Sequence, residues 1–280
     1  MFGLEIDVAG LVNYLVDAAV SCIGSYLRSI SNIIEDLFEL IVDAILIAPP
    51  ITIIIPIGLF LWWVTNRKIA LGGVITLAAI SLMGHWEAGI NTIVLVLLST
   101  LLSLIFSLPI GITMGVSDRF ESIMKPVLDF MQTMPAFVYL IPAVMFFGVG
   151  KVPAIAATLI FAMPPPIRLT NLGIRGVPPE VKEAAISFGA TRKMLLFDVE
   201  LPLAIPTIMA GVNQCIMLAL SMAVIASMIG AAGLGGEVLR GINRLDVGHG
   251  FEAGIAIVAL AIVIDRTASA VHNRYSNISD

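Results

Sequence analysis

Between Thr92 and Val116 the chain has no charged residue and places twelve strong apolar ones, Ile93, Val94, Leu95, Val96, Leu97, Leu98, Leu101, Leu102, Leu104, Ile105, Phe106 and Leu108. At about −0.3 to −0.6 kcal/mol each near a bilayer centre, these favour insertion by several kcal/mol, enough to carry Ser99, Thr100, Ser103 and Ser107. A membrane helix needs roughly 17–25 such residues. Further runs at 50–66, 68–83, 136–150, 153–174, 202–229 and 251–271 bring the expected spans to seven. Two of these, 68–83 and 136–150, are short and fit a tilted interior helix or a re-entrant segment. Only 12% of the residues are charged and 59% are hydrophobic, against about 25% and 45–50% in soluble domains, so a water-soluble fold is excluded. Fifteen Lys and Arg against twenty Asp and Glu leave a net charge of −5 with no basic stripe, which argues against nucleic acid as a partner. Cys22 and Cys215 cannot form a disulfide framework, and Cys215 reads as a small core residue.

The basic residues orient the chain. If the polar stretch around 175–200 is cytoplasmic, alternation puts Arg67, Lys68, Arg119, Lys125, Arg168, Arg175, Lys182, Arg192, Lys193, Arg266 and Arg274 on or near that side. Arg28, Lys151, Arg240 and Arg244 fall on the other. By the positive-inside rule the N-terminus is outside, the C-terminus inside and the number of spans odd. Trp62, Trp63 and Trp86 fall near span ends, as a headgroup belt requires. The acidic N-terminus shows no basic region ahead of an apolar core, so the first span is expected to serve as the membrane signal.

Ahead of the spans, polar residues recur at helical spacing: Asn13, Asp17, Ser21, Ser25, Arg28, Asn32, Glu35 or Asp36, Glu39 and Asp43. Leu15, Val16, Ile23, Leu27, Ile30, Ile34, Leu37, Ile41 and Ile45 take the opposite face, the pattern of an amphipathic helix, or two in line, along the outer surface. It would brace the spans or offer a docking face. Pro49 and Pro50 end it.

The segment from Gly173 to Pro206 is polar in an apolar chain. Pro178 and Pro179 suit a helix start, Glu180, Lys182 and Glu183 occupy its early turns, and Ala184, Ala185, Ile186 and Phe188 form a small apolar face. Gly189 can stop the helix in the left-handed conformation. Thr191 can cap a second helix running through about Val199 and closed by Pro202. A connector would need only about 2–8 residues, so this knob is expected to have a task of its own.

Glu183-Ala184-Ala185, then Gly189 after three residues, then Leu201-Pro202, resembles the EAA signature of permease subunits of binding-protein-dependent ABC importers. Over residues 85–270 the chain is similar to the glycine betaine, proline betaine, carnitine and choline subgroup. The likeness is carried by Gln132 to Tyr139, Ser187 to Thr191, Leu220 to Ala226, Gly230 to Gly235 and Gly250 to Gly254. The resemblance implies an all-α polytopic permease of about seven transmembrane helices, of the type I importer kind, with the N-terminal amphipathic helix added. Together with the apolar runs and the charge bias, it divides the chain into an N-terminal amphipathic, extracytoplasmic-side segment 1–48, two first spans in 49–84, a permease core 85–271 with a coupling segment at about 175–201, and a cytoplasmic tail 272–280. It implies that Glu180, Glu183, Ala184, Ala185, Phe188, Gly189 and Ala190 couple to cytoplasmic ATPase subunits, which would bind ATP and magnesium. It also implies a second copy of this chain and a prokaryotic cell membrane as location. No binding-protein domain follows residue 271, so a separate extracytoplasmic substrate-binding protein is expected.

Energy must come from elsewhere, because no G-x-x-x-x-G-K-[ST] loop is present and Gly150-Lys151 lacks its first glycine. No cofactor, metal or catalytic site is expected in this chain. His85, His249 and His272 stand apart in the sequence and outside the spans, as solvated or capping residues. Acids lie near span ends, Glu252 at the start of the last and Asp265 beside Arg266 near its inner terminus, which disfavours an ion-coupled carrier. A passive osmotic channel would leave the polar knob unexplained, and an intramembrane enzyme lacks a nucleophile and base. Within the bundle, Pro164-Pro165-Pro166 must break or kink its helix, as a gate or by packing. Asn213 and Gln214 should face the interior, bonding between helices or lining the pathway. Gly111 and Gly115 permit close helix approach, and Gly230 to Gly236 is a hinge, an outer gate or a linker. No convincing cluster of interior aromatics offers a quaternary ammonium a cage.

Overall fold

The apolar runs become helices, and among the described residues the chain is helical throughout. The structure, a computed structural model, describes the backbone of residues 8–276 and the side chains of 26–270. The readings at Asn13, Asp17, Ser21, Cys22, Ser25, His272 and Arg274 lie outside the described side chains. In chain order the helices are α1 (Val8–Leu46), α2 (Pro50–Val64), α3 (Arg67–Leu82), α4 (Trp86–Val116), α5 (Asp118–Thr133), α6 (Leu140–Phe147), α7 (Lys151–Ala162), α8 (Pro164–Arg175), α9 (Pro179–Ser187), the single turn α10 (Arg192–Met194), α11 (Leu201–Ala226), α12 (Leu234–Arg244) and α13 (Val247–Ser276).

Helix α4 is the axis of the core. Its Val94, Leu95, Val96 and Leu98 are buried in one apolar cluster with Ile155 and Ala157 of α7 and Cys215, Ala219 and Met222 of α11. Close approach is set by glycines. A Cβ on Gly111 would stand 2.6 Å from the Thr170 Cβ and 2.8 Å from the Ile167 carbonyl oxygen of α8, and one on Gly115 would meet Ile174 at 2.9 Å. The Gly111 and Gly115 pair is therefore the α4–α8 contact.

Among the described residues, four helical stretches are long and apolar enough to cross a membrane: Trp86–Val116, Lys151–Arg175, Arg192–Ile229 and Val247–Ala270. Two bent pairs, Tyr26–Leu46 with Pro50–Val64 at 102° and Asp118–Thr133 with Ala136–Phe147 at 108°, raise the number to six if each is one span. By length and composition the described residues thus give four to six such stretches beside the seven expected. Run 68–83 folds as α3, whose 16 residues extend about 24 Å at 1.5 Å per residue, short of a roughly 30 Å hydrocarbon core. It forms a tight hairpin with α2, where a Cβ on Gly73 would lie 2.4 Å from Leu61 and one on Gly58 2.5 Å from Val74. Asn66 caps α3 by accepting a hydrogen bond from the Ile69 amide at 3.0 Å. Run 136–150 divides into a 3-10 turn, Ala136–Tyr139, and the eight residues of α6.

Where its side chains are described, α1 buries Phe38 and Val42 and exposes Glu35, Asp36, Glu39 and Asp43. Lys151 pins it to α7, bonding Glu39 at 3.3 Å with its ammonium 5.0 Å from the Phe38 ring centre.

Candidate functional site

The polar segment between α8 and α11 builds a defined knob. Helix α9 begins at Pro179, where the missing amide costs no hydrogen bond. It ends in a left-handed turn, with Gly189 at φ +90°, the Ala190 amide bonding the Ala185 carbonyl at 3.0 Å and the Gly189 amide the Ile186 carbonyl at 2.9 Å. Thr191 then accepts the Met194 amide at 3.3 Å, capping α10. Here the expected second helix through Val199 is corrected. Leu195–Glu200 is a π-helical turn, in which the Leu201 amide reaches the Leu196 carbonyl, and it runs directly into α11. Pro202 does not close a helix: it lies inside the continuous helical stretch Arg192–Ile229, directly after the π turn, where the hydrogen-bond register changes.

The residues expected to couple form one surface. Glu180, Glu183, Ala184, Phe188 and Gly189 are exposed, and Ala185 and Ala190 are partly buried. Phe188 is 93% exposed, with Ile186 and Val181 also exposed nearby. A phenylalanine presented so fully beside other apolar side chains marks a contact surface.

Behind that surface lies a pairing that sequence reasoning missed. The Lys182 ammonium bonds the Glu200 carboxylate at 2.8 Å and the Ile174 carbonyl at 3.1 Å. It thereby joins α9 to the end of α8 and to the π turn. Glu200 is only 8% exposed.

At the same end α5 is laced to α8. Its Asp118, Arg119, Glu121, Lys125 and Asp129 are too many charges for hydrocarbon, so of this bent pair only the Ala136–Phe147 arm suits the membrane interior and α5 lies outside it. Arg168 pairs with Asp129, Arg175 with Asp118 at 2.7 Å and Glu121 at 3.2 Å, and Asn171 donates to Glu121 at 2.9 Å. The Asn171 and Lys125 hydrogen bonds, with the Arg175 charge, hold the Glu121 carboxyl below the usual carboxylate range against the opposing effect of burial. A lowered native pKa contributes stability above the free carboxylate value and loses it as pH falls through the native one. Acidification below roughly pH 4.5 should therefore lower the melting temperature of the wild type more than that of Glu121→Gln, measured on purified protein.

The pathway candidates separate. Pro164, Pro165 and Pro166 are buried at the start of α8. A Cβ on Gly211 of α11 would lie 2.9 Å from the Pro166 Cα. The Met163 carbonyl at the break is taken by the Ser107 hydroxyl at 3.3 Å and the Ile167 amide at 3.3 Å. Asn213 donates to Asp265 of α13 at 3.5 Å, so it does bond between helices. Gln214 instead is exposed on this chain, because successive helical residues turn about 100° apart and cannot share one direction.

The opposite end holds a cavity of about 760 Å³, lined by His85, Glu87, Asn91, Glu237, Arg240, His249 and Glu252 among others. His85 and His249 are not isolated solvated residues. His85 is 7% exposed, its ring centre is 5.1 Å from that of His249, and His249 bonds Glu237 at 2.9 Å. Their separation in sequence concealed this. Among the described residues no group of three or more His, Cys, Asp or Glu side chains is arranged to hold a metal.

Residues 107–277 match the family model described as binding-protein-dependent transport system inner membrane component. The chain is 45% identical over 262 residues to the glycine betaine transport system permease protein OpuAB of Bacillus subtilis, covering 94% of this chain and 93% of that one. It is 49% identical over 277 residues to the glycine betaine/carnitine transport permease protein GbuB of Listeria monocytogenes, covering 96% of each. Among solved structures, the inward-facing MetNI methionine ABC transporter aligns at a TM-score of 0.62 with 17% identity, over 66% of this chain and 93% of that one. An amino acid ABC transporter aligns at 0.58 with 23% identity, over 72% and 97%. At these identities the structures establish the shared fold.

Proposed function

We propose a function from one premise: the chain belongs to the binding-protein-dependent transport system inner membrane component family. It is the permease subunit of an ATP-driven ABC importer for glycine betaine-like quaternary ammonium osmoprotectants, and it is not itself an enzyme. Its similarity to permeases named for glycine betaine and carnitine supports that solute class.

The observation that carries the mechanism is the exposed knob of α9, with Phe188 projecting from it, at the end of the bundle away from the polar cavity. In this reading Glu180, Glu183, Ala184, Ala185, Phe188, Gly189 and Ala190 seat on a cytoplasmic ATPase subunit. The small alanines allow close approach, and Gly189 sets the turn that presents Phe188. Motion of the ATPase pair then reaches α8 and α11 and switches the bundle between its two facing states. The eleven basic residues on that side support a cytoplasmic knob, an outside N-terminus and an inside C-terminus. The cavity of His85 and Glu252 then faces the separate binding protein. Gln214, Met217 and Ser221, exposed at helical spacing on α11, provide a face for a second copy around a shared pathway. Pro164, Pro165 and Pro166, packed on Gly211 behind that face, act as its pivot. The outer length of α1 braces α4, α6 and α7.

Reconstitution in vesicles with the ATPase and the binding protein tests this. Labelled glycine betaine, carnitine and choline are offered with and without ATP. Uptake that requires ATP and the binding protein, and that persists without an ion gradient, is the expected result. Uptake without ATP would overturn it in favour of a passive channel, or of an ion-coupled carrier if it followed the gradient.

A further inference from the structure

We propose that Lys182 is the positioning residue that makes α9 and the start of α11 move as one body; this rests on the reading of α9 as the coupling helix. Its ammonium meets three requirements at once. It neutralises Glu200, a carboxylate 8% exposed that needs a partner in such a place. It satisfies the Ile174 carbonyl in the last turn of α8 at 3.1 Å, where a cation also complements the helix dipole. And it belongs to α9, whose other charged side chains, Glu180 and Glu183, are exposed.

The placement of Glu200 matters. It closes the π-helical turn Leu195–Glu200, and single π turns inside helices are frequent at functional sites. Between Ser187, the last residue of α9, and Arg192, where the continuous stretch of α10, π turn and α11 begins, lie four residues that form a turn about Gly189. Backbone continuity alone is therefore a weak link between α9 and α11. The Lys182–Glu200 pair, at 2.8 Å, bypasses it. A buried ion pair adds little net stability compared with apolar packing, but it fixes one arrangement of the groups that carry it. Removing the pair should leave α9 able to seat on a partner while its motion is absorbed by the Phe188–Thr191 turn.

The experiment uses the complete complex in vesicles, with Lys182→Met and Glu200→Gln made separately. ATP hydrolysed per solute imported is measured beside co-purification of the ATPase and the apparent KM for ATP. Both variants should retain the ATPase with unchanged KM, while hydrolysis per solute rises by roughly tenfold, the scale of an ordinary coupling between sites. Lys182→Arg should restore the ratio. The exchange Lys182→Glu with Glu200→Lys should restore it only in part, because it sets a carboxylate against the Ile174 carbonyl. If Lys182→Met does not accumulate, Glu200→Gln, which keeps the volume and hydrogen-bonding capacity, decides. A wild-type ratio in Glu200→Gln, or loss of the ATPase from it, overturns the proposal. Phe188→Ser tests the underlying reading separately: an ATPase that still co-purifies with that variant defeats α9 as the docking helix, whatever Lys182 does.

Discussion

Replacing Gly189 with valine is expected to abolish solute uptake while the chain still accumulates in the membrane. Gly189 sits at φ +90°, and a Cβ placed there would meet no atom within 4 Å. The penalty therefore comes from the backbone and not from a clash. A side chain in left-handed backbone costs roughly 1–2 kcal/mol, and a β-branched one is a marked outlier there. Since about 1.4 kcal/mol is tenfold in an equilibrium, the turn that presents Phe188 would be disfavoured by roughly tenfold relative to other arrangements of the segment. Alanine should give a smaller loss, and asparagine, which tolerates this conformation, a smaller one still. Uptake and solute-stimulated ATP hydrolysis are measured together in the assembled complex. Normal stimulated hydrolysis in Gly189→Val would refute the coupling role.

Gly111→Val should act on the bundle itself. The added Cβ would stand 2.6 Å from Thr170 and 2.8 Å from the backbone oxygen of Ile167. Backbone cannot swing aside as a flexible side chain can, so α4 and α8 must part. Overpacking of this kind costs typically 1–3 kcal/mol and occasionally more. The separation would also strain the Ser107 bond to Met163 and the Arg175 bond to the Met114 carbonyl, both of which bridge the same two helices. A fall of several degrees in melting temperature and reduced accumulation are expected, with Gly111→Ala intermediate. Gly72→Ala, inside α3 where a Cβ meets nothing within 4 Å, is the control and should melt no lower than wild type, since alanine favours the helix over glycine. Equal melting of Gly111→Val and wild type would show that the helices already have room.

The helical knob was legible because its signals are local. Pro178 and Pro179 start α9 and Gly189 ends it, and each acts through its own backbone. What followed was read wrongly at Pro202, because a change of hydrogen-bond register from α to π leaves no mark in residue type. The seven expected runs do not map one to one onto long straight helices for a related reason. Hydropathy reports where a run is apolar, but the 108° bend between α5 and the Ala136–Phe147 stretch and the short hairpin of α3 depend on what each run packs against.

Placing charges by side of the membrane did not reveal their partners. Arg168 meets Asp129, Lys182 meets Glu200, and His85 approaches His249 across 164 positions of sequence. Each pair joins different elements, and no spacing rule connects them. Asn213 and Gln214 show the same limit at one residue's distance, since a helix turns adjacent side chains apart.

By itself the sequence determined that lipid is the solvent, that the spans are helical, where the polar knob interrupts them and which family signature it carries. These depend on transfer free energy and local backbone preference, both properties of short stretches. Only the tertiary structure decided which apolar runs bend or break, which glycines bring α4, α8 and α11 together, and that Lys182 holds α9 to the carboxylate of Glu200. Those outcomes depend on distances between segments remote in sequence, which are set when the whole bundle packs.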